Sequence, residues 1–560
     1  MLGAYAATIV LLPRADIPIG DDWVYARSVR ILLEEGRVQI LDASVVSLVF
    51  QLLWGALFSS VLGLSFVVLR LSTVVLAAGG AIGVFGLCRA LGASRGWSAV
   101  GAAAWLFNPL AYVLANSFMT DASFAALLTM AAFLYVRGLD AGRESPALVV
   151  CGSVVAALAF LTRQQGLLIP VAVVAFLLWS RRVTADRRGA ALVARVAAAP
   201  LATAAVYWLW ITLGHGLPEG QRMFTEELGL LWRRETPRFL AELLTVHVMY
   251  AGLFVLPVAV AAAAVAVRVI RRFPPGGWLL LAPTSVVVVV GVGALAVQER
   301  LMPYVPQYLA TWGLGPADIQ GGRPDLVSSR SVLVAFTLVA AASAIVGAAL
   351  IGRKAAGSSA PGRAGAGLLA TILAAQVAGA VPPSLHFQNP VPAGILTTTL
   401  DRYLLPMLPL VLCLAVWAVA GMRVPSWPAW VATAVFAVVA VGGTRDFLVF
   451  QRATWEVATA ANAAGIGNHR LEAGAQWGGE HLYQGWVDRP PSRPDRPWWV
   501  NLFAWTTDSS FVVATHPLPG HVEVERTTYD MWLGPAENPL YLLRREDVPA
   551  VTAELLAGEQ

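Results

Sequence analysis

Apolar runs broken by short polar connections recur from the first residues to about residue 445. A helix needs roughly 17 to 25 apolar residues to cross a hydrocarbon core of about 30 Å. On that measure the pattern predicts thirteen transmembrane helices, near 1–12, 65–88, 98–115, 122–137, 147–162, 165–180, 191–213, 243–267, 278–297, 331–351, 366–383, 403–420 and 427–444. The first would rise only about 18 Å. It has neither the basic start nor the cleavage site of a signal peptide, so it reads as a short or truncated first helix. The next segment, "PRADIPIGDDWVYARSVRILLEEGR" (13–37), is charged. Tyr25, Val29, Leu32 and Leu33 recur there at helical spacing opposite Arg27, Arg30 and Glu34, with Gly36 suited to the C-terminal cap. This predicts an amphipathic helix along the outer membrane surface. "LDASVVSLVFQLLWGALFSSVLG" (41–63) adds a second interfacial or partly inserted helix. Past residue 445 the period changes to that of strands ("FVVATH", "HVEVERTTY") around a Pro-rich stretch, predicting a small α/β domain. The expected fold is an all-α polytopic membrane domain, 1–447, followed by a soluble α/β domain, 448–560.

The connections between runs fall into two sets. One carries Arg89, Arg95, Arg137, Arg143, "RRVTADRR" (181–188), "RVIRR" (268–272), "GRKAAGSSAPGR" (352–363) and Arg423, fifteen basic residues against three acids. That excess marks the cytoplasmic side. The alternate set, 13–64, 116–121, 214–242, 298–330, 385–402 and the tail, is longer and mixed in charge, and is assigned outside. The expected location is the plasma membrane, with the tail and any site on the outer loops extracytoplasmic.

Hydrophobic residues make up 57% of the chain and charged residues 13%, with a mean hydropathy of +0.66. A soluble chain would carry about twice that charge. The net charge of +5 is mostly dispersed arginine without a basic tract, so nucleic acid is not an expected partner. Cys88, Cys151 and Cys413 all fall in predicted spans and show no disulfide or metal spacing. The preference for Arg and Ala over Lys is typical of a high-GC bacterium.

The candidate chemistry lies on the outer loops. Asp21 and Asp22 follow the bend made by Pro18 and Gly20. Asp22 could N-cap the amphipathic helix, but capping needs one acid and adjacent carboxylates repel. Asp121, in "SFMTDASF", starts the fourth span two crossings later and so emerges on the same face; it too could be a cap. Arg70, in "SFVVLRLSTVV", and Arg163, in "LAFLTRQQGLL", stand near the same level. Either they snorkel or their guanidinium forks clamp a phosphate. His247 and His386 are further, weaker candidates near the outer face.

These pieces together resemble the GT-C superfamily of polyprenyl-phosphate-sugar-dependent glycosyltransferases, in particular protein O-mannosyltransferase-like enzymes and the lipid A aminoarabinose transferase. The resemblance rests on "GDDWVYARS", "LRLST", "SFMTDASF", "LTRQQG" and "LDRYLLPMLPL" (400–410). It covers residues 10–180 and 400–420, and is only architectural between them. It implies that Asp21 is the catalytic base, that Asp22 stands where many relatives carry Glu, and that Asp121 positions acceptor or sugar. Asp401, Arg402 and Tyr403 would lie near the donor.

The chemistry needs little more. A sugar on a lipid phosphate already has a leaving group, so a base for the acceptor hydroxyl and positive charge for the departing phosphate suffice. Single displacement inverts the anomeric centre; a nucleophilic carboxylate would retain it. No cofactor is required, and a divalent metal could be held only by Asp21, Asp22 and Asp121. The expected partners are a polyprenyl-phosphate hexose or pentose, membrane lipids, and an envelope protein, glycan or lipid as acceptor. The rival reading is a transporter or flippase of a lipid-linked sugar, for which midplane charges and inverted repeats would be expected.

Overall fold

The computed structural model describes residues 1–549 except 141, 143, 272, 359, 389–397 and 489–506. The chain is mostly helical. The helices are α1 (Leu2–Val10), α2 (Asp22–Glu35), α3 (Val49–Leu62), α4 (Phe66–Ala90), α5 (Arg95–Leu106), α6 (Pro109–Ala115) and α7 (Thr120–Gly138). Then come α8 (Pro146–Thr162), α9 (Leu168–Trp179), α10 (Arg187–Leu209), α11 (Glu219–Glu226), α12 (Thr236–Arg271), α13 (Trp278–Val286) and α14 (Val292–Val297). The remainder are α15 (Arg330–Gly357), α16 (Ala360–Gly379), α17 (Met407–Val419), α18 (Trp427–Ala463) and α19 (Ala475–Asp488).

Among the described residues, seven helices are long and apolar enough to cross a membrane, or eight if the bent pair α5–α6 counts as one. The chain is therefore a multi-pass membrane protein. Every one of the thirteen predicted segments is helical, but thirteen crossings are not established by length and composition: α1 has nine residues, and α8, α9 and α17 are shorter apolar helices. The predicted run 98–115 is broken by 60°. Helix α5 ends at Leu106, and Asn108 caps α6, its Oδ1 accepting from the N–H groups of Leu110 and Ala111 at 3.1 and 3.4 Å, with Pro109 as that helix's first residue. Helix α17 is apolar on every side and all thirteen of its residues are buried, as a helix without a polar face must be. It packs on α5, α12, α15 and α16 at the centre of the bundle.

The connections meet at two ends, divided as the charges divide. At the basic end, Arg182 donates to the Leu139 carbonyl and Lys354 to the Ala420 carbonyl, both at 2.7 Å. At the other, the first loop meets the 214–242 loop where Asp42 accepts from the N–H groups of Gly220 and Glu219. Ser47 donates to the Phe160 carbonyl, and Arg300 in the 298–330 loop donates to Thr398 at 3.1 Å.

The strands after residue 463 form a sheet ordered β3–β4–β6–β5, from β3 (Leu471–Glu472), β4 (Phe511–Ala514), β5 (His521–Tyr529) and β6 (Asn538–Arg545), numbered after the short hairpin β1 (Leu309–Ala310) and β2 (Gly313–Leu314). Only the β3–β4 pairing is parallel. Helix α18 runs through residue 447, where the sequence pattern divides the chain, because no proline or capping signal stops it before Ala464. Asp446 on that helix accepts from the N–H groups of Trp532 and Leu533 at 2.6 and 2.8 Å, and Arg445 pairs with Asp530 at 2.5 Å. The sheet is thus pinned to the helix bundle.

Helix α2 departs from expectation. It does not lie alone along a surface: its apolar side is buried among other segments and α19 covers its charged side. Arg30 pairs with Glu480 at 3.3 Å, Arg27 donates to Gln484, and Trp23 meets Tyr483 edge to face.

Close approach of α4 to α7 depends on small residues. A Cβ on Gly80 would stand 2.9 Å from the Ala126 Cβ and 3.2 Å from the Trp105 indole nitrogen, whereas one on Gly79 would meet nothing within 4 Å. Gly80→Val should lower the thermal unfolding midpoint in detergent, by overpacking of about 1–3 kcal/mol. Gly79→Val should leave it nearly unchanged.

Candidate active site

Gly20 determines how the two acids leave the first segment. Its φ is +61°, and a Cβ there would collide with the Tyr308 hydroxyl, so both backbone and contact call for glycine. Asp21 occupies the N-cap position of α2, yet its side chain makes no capping bond. It faces Arg402 instead, whose Nη1 donates to Asp21 Oδ2 at 2.7 Å. Asp22 is the first helical residue rather than the cap. Its Oδ1 accepts the Ile19 N–H at 2.6 Å, and its Oδ2 lies 4.0 Å from Arg70 Nε. Asp22 is fully buried, and that burial pushes its carboxyl up to about 7 against the pull of Arg70 and the backbone N–H groups.

Asp121, in the first turn of α7, is fully buried and pairs with Arg163 Nη2 at 2.8 Å; Arg163 Nε donates to Thr120 at 2.9 Å. The expected helix cap is not formed by Asp121, since α7 starts after Met119 without a side-chain cap. Arg163 ends α8 and is itself buried. Arg402 lies in a 3-10 turn ahead of α17, with its guanidinium 5.5 Å from the Tyr403 ring centroid. Burial works against its charge, but Asp21 leads the groups that hold the guanidinium well above its ordinary range. Asp401 is turned away: its Oδ2 accepts from the N–H groups of Tyr308 and Leu309 at 2.8 and 2.6 Å. It fastens the 298–330 loop to this turn.

The two acid–arginine pairs share one region. Asp21, Arg402, Arg163 and Asp121 all act on the buried Tyr25 hydroxyl, and Arg402, Asp21 and Asp121 act on that of Tyr308. Exposure separates the acids. Asp21 keeps 30% of its side chain accessible and Asp121 none.

Arg70 is not poised as a phosphate clamp. Its Nη1 donates to the Ala15 carbonyl at 2.7 Å and its Nη2 to that of Ile17, which holds the segment before Asp21 in place. His247 is buried on α12 and bonds through Nδ1 to the Leu243 carbonyl one turn back at 2.8 Å; no described contact links it to the acids. The side chain of His386 lies outside the described residues. Among the described residues no group of three or more His, Cys, Asp or Glu converges for a metal.

Three site residues escape sequence reading. Tyr25 counts as apolar-face periodicity, and Tyr308 and Asp318 lie in the long 298–330 loop, which has no helical period. The one hint is the density of Tyr, Trp and Asp in "YVPQYLATWGLGPADIQGG" (304–322).

Residues 48–208 match the family model described as dolichyl-phosphate-mannose-protein mannosyltransferase. The resemblance to GT-C polyprenyl-phosphate-dependent glycosyltransferases therefore holds over the stretch carrying Arg70, Asp121 and Arg163; Asp21, Asp22 and Arg402 lie outside the match. No curated protein matches the chain. Among solved structures, the chain is similar to ArnT from Cupriavidus metallidurans in the apo state (15% identity, 72% of this chain and 84% of that one, TM-score 0.31). It is also similar to ArnT bound to undecaprenyl phosphate (12%, 98% and 98%, TM-score 0.35). A third is the archaeal oligosaccharyltransferase AglB from Archaeoglobus fulgidus with an inhibitory peptide and a dolichol-phosphate (12%, 82% and 57%, TM-score 0.38). At these TM-scores the likenesses do not bear on the site.

The raised Asp22 carboxyl predicts a pH dependence. Stability linked to its protonated form is fully present below the ordinary 3.8 and is lost as pH rises through about 7. Asp22→Asn fixes the neutral form while Arg70 keeps its carbonyl partners. The unfolding midpoint of the variant should therefore gain on that of the wild type between pH 4 and 8. Parallel curves would show that Asp22 does not titrate in this range.

Proposed function

We propose that the protein is an integral-membrane glycosyltransferase that moves a hexose or pentose from a polyprenyl-phosphate donor to an acceptor hydroxyl on the extracytoplasmic side. The observation that carries this reading is the Asp21–Arg402 pair: an accessible carboxylate held 2.7 Å from a guanidinium, beside a second, buried pair. The match of residues 48–208 to a family of dolichyl-phosphate-mannose-dependent transferases supports the donor class.

The geometry suggests an exchange of partners. A donor phosphate has the charge and oxygen geometry to take Arg402 from Asp21. That swap creates both groups the reaction needs, a cation on the leaving group and a carboxylate free to act as base. The acceptor oxygen then attacks the anomeric carbon, its proton passes to Asp21, and the carbon–oxygen bond to phosphate breaks. The electron pair leaves with the lipid phosphate. Arg402 bears the developing charge, and Arg163 adds positive potential from within the second pair. A single displacement of this kind inverts the anomeric centre.

The other residues support that step. Asp22, tied to Ile19 and Arg70, fixes the position of Asp21 in the turn, and Asp121 holds Arg163. Tyr403 flanks the donor guanidinium. On the alternation of basic and mixed loops read from the sequence, these residues would lie outside, together with segment 448–560. No metal enters this scheme.

In a deletion strain, mass spectrometry of envelope glycans and glycoproteins should show a missing hexose or pentose that the wild-type gene restores. Asp21→Asn, accumulating to the same level, should fail to restore it, because loss of a general base costs about 10²–10⁴ in rate. Full restoration by the variant would remove Asp21 from the base role.

A further inference from the structure

The 298–330 loop brings one more carboxylate to the site. Tyr308, at the near end of this stretch, presses its hydroxyl on Gly20, next to Asp21. Ten residues on, Asp318 is half-buried, and it interacts electrostatically with Asp21, Arg402 and Arg323. Its Oδ2 accepts from the Gln476 side-chain amide at the start of α19. The same helix is seated on α2, with Gly479 so close to the Trp23 ring that no Cβ would fit between them. Asp318 is therefore held from the C-terminal segment, within electrostatic range of the pair that the proposed chemistry uses. Its Oδ1 has no hydrogen-bond partner among the described residues.

The reaction itself narrows what such a carboxylate can meet. The sugar lies between the phosphate that Arg402 would take and the acceptor oxygen that Asp21 would deprotonate. A side chain that interacts with both residues is placed to meet the sugar. A carboxylate repels phosphate and accepts from hydroxyls. The orienting bond from Gln476 leaves one oxygen available for that purpose. Burial pushes the carboxyl up to about 6, with Asp21 adding to the rise, so hydroxyl donors from a ligand would offset part of the water it has lost.

We propose that Asp318, oriented by Gln476, is a sugar-recognition residue that accepts a hydrogen bond from a hydroxyl of the lipid-linked donor. The assignment rests on the donor reading above and adds to it a contact that discriminates loaded from spent lipid. After transfer the bare lipid phosphate lacks the hydroxyls that Asp318 holds, so its release is eased.

The test is a binding measurement with the full-length protein in nanodiscs. The probes are undecaprenyl phosphate, bare and carrying mannose, glucose or arabinose. The wild type should bind at least one loaded lipid more tightly than the bare lipid. Asp318→Ala should remove that preference, weakening the loaded lipid roughly tenfold or more. It should leave affinity for the bare lipid unchanged, which also reports that the variant is folded. Gln476→Ala, which frees the carboxylate without deleting it, should give a partial loss of the same preference. If the wild type binds bare and loaded lipids equally, or if Asp318→Ala keeps the preference, Asp318 does not read the sugar. If the wild type binds none of these lipids, the donor reading itself fails.

Discussion

A buried charge in this protein is tolerable only with partners inside the protein, and the end of the bundle that carries the acids is organised by that constraint. Moving an isolated carboxylate or guanidinium out of water costs several kcal/mol even after relaxation. Each of the three acids read from the sequence at this end has its own arginine: Asp21 with Arg402, Asp22 with Arg70, Asp121 with Arg163. The partners come from different segments, 381 residues apart in the case of Asp21 and Arg402. Pairing therefore closes the fold here as well as balancing charge. It also limits what may enter, because a ligand that takes one member of a pair must replace the charge it displaces.

The three pairs differ in what they leave free. Arg70 spends its remaining donors on two backbone carbonyls, and Asp22 accepts a backbone N–H. That pair shapes the turn that presents Asp21. Asp121 and Arg163 are both buried and bind the ends of α7 and α8 together. Only Asp21 with Arg402 keeps one partner substantially accessible. Exposure, rather than charge or position in the sequence, separates the pair proposed to exchange partners from the other two. Asp401 belongs with the latter: it lies next to Arg402 in sequence, but its visible bonds run to the backbone of the Tyr308 loop.

Much of this was legible in the sequence. Helices follow from runs and periods that are local properties, so every predicted apolar segment is helical. The alternation of basic loops placed Asp21 and Asp121 at the same end. What eluded the sequence was mostly set by contacts between distant segments. Arg70 has the signature of an intramembrane arginine with an anion to find, but the Ala15 and Ile17 carbonyls that satisfy it are visible only once the first loop folds back. The polar face of α2 reads as a surface in contact with lipid headgroups or water, because nothing local reports that α19, some 450 residues later, will cover Arg27 and Arg30. The 298–330 loop has neither a helical nor a strand period, so Tyr308 and Asp318 carried no positional signal.

The covering of α2 by α19 changes what the C-terminal segment is for. A domain tethered only by a linker could bind an acceptor and still leave the chemistry to the bundle. Here one short helix is bonded to α2 through Arg30 and Glu480 and to the 298–330 loop through Gln476 and Asp318, while the sheet behind it is fastened to α18 through Asp446. Glu472, on the first strand of that sheet, accepts from Gln320 at 2.7 Å, two residues beyond Asp318. Any displacement of the segment must therefore move the loop that carries Asp318 and load the helix that starts beside Asp21. The link between the C-terminal segment and the bundle is a set of hydrogen bonds and ion pairs, each made by a different carboxylate. Its stiffness is set by the same rule that sets the acid–arginine pairs: polar groups withdrawn from water have to find their partners inside the protein.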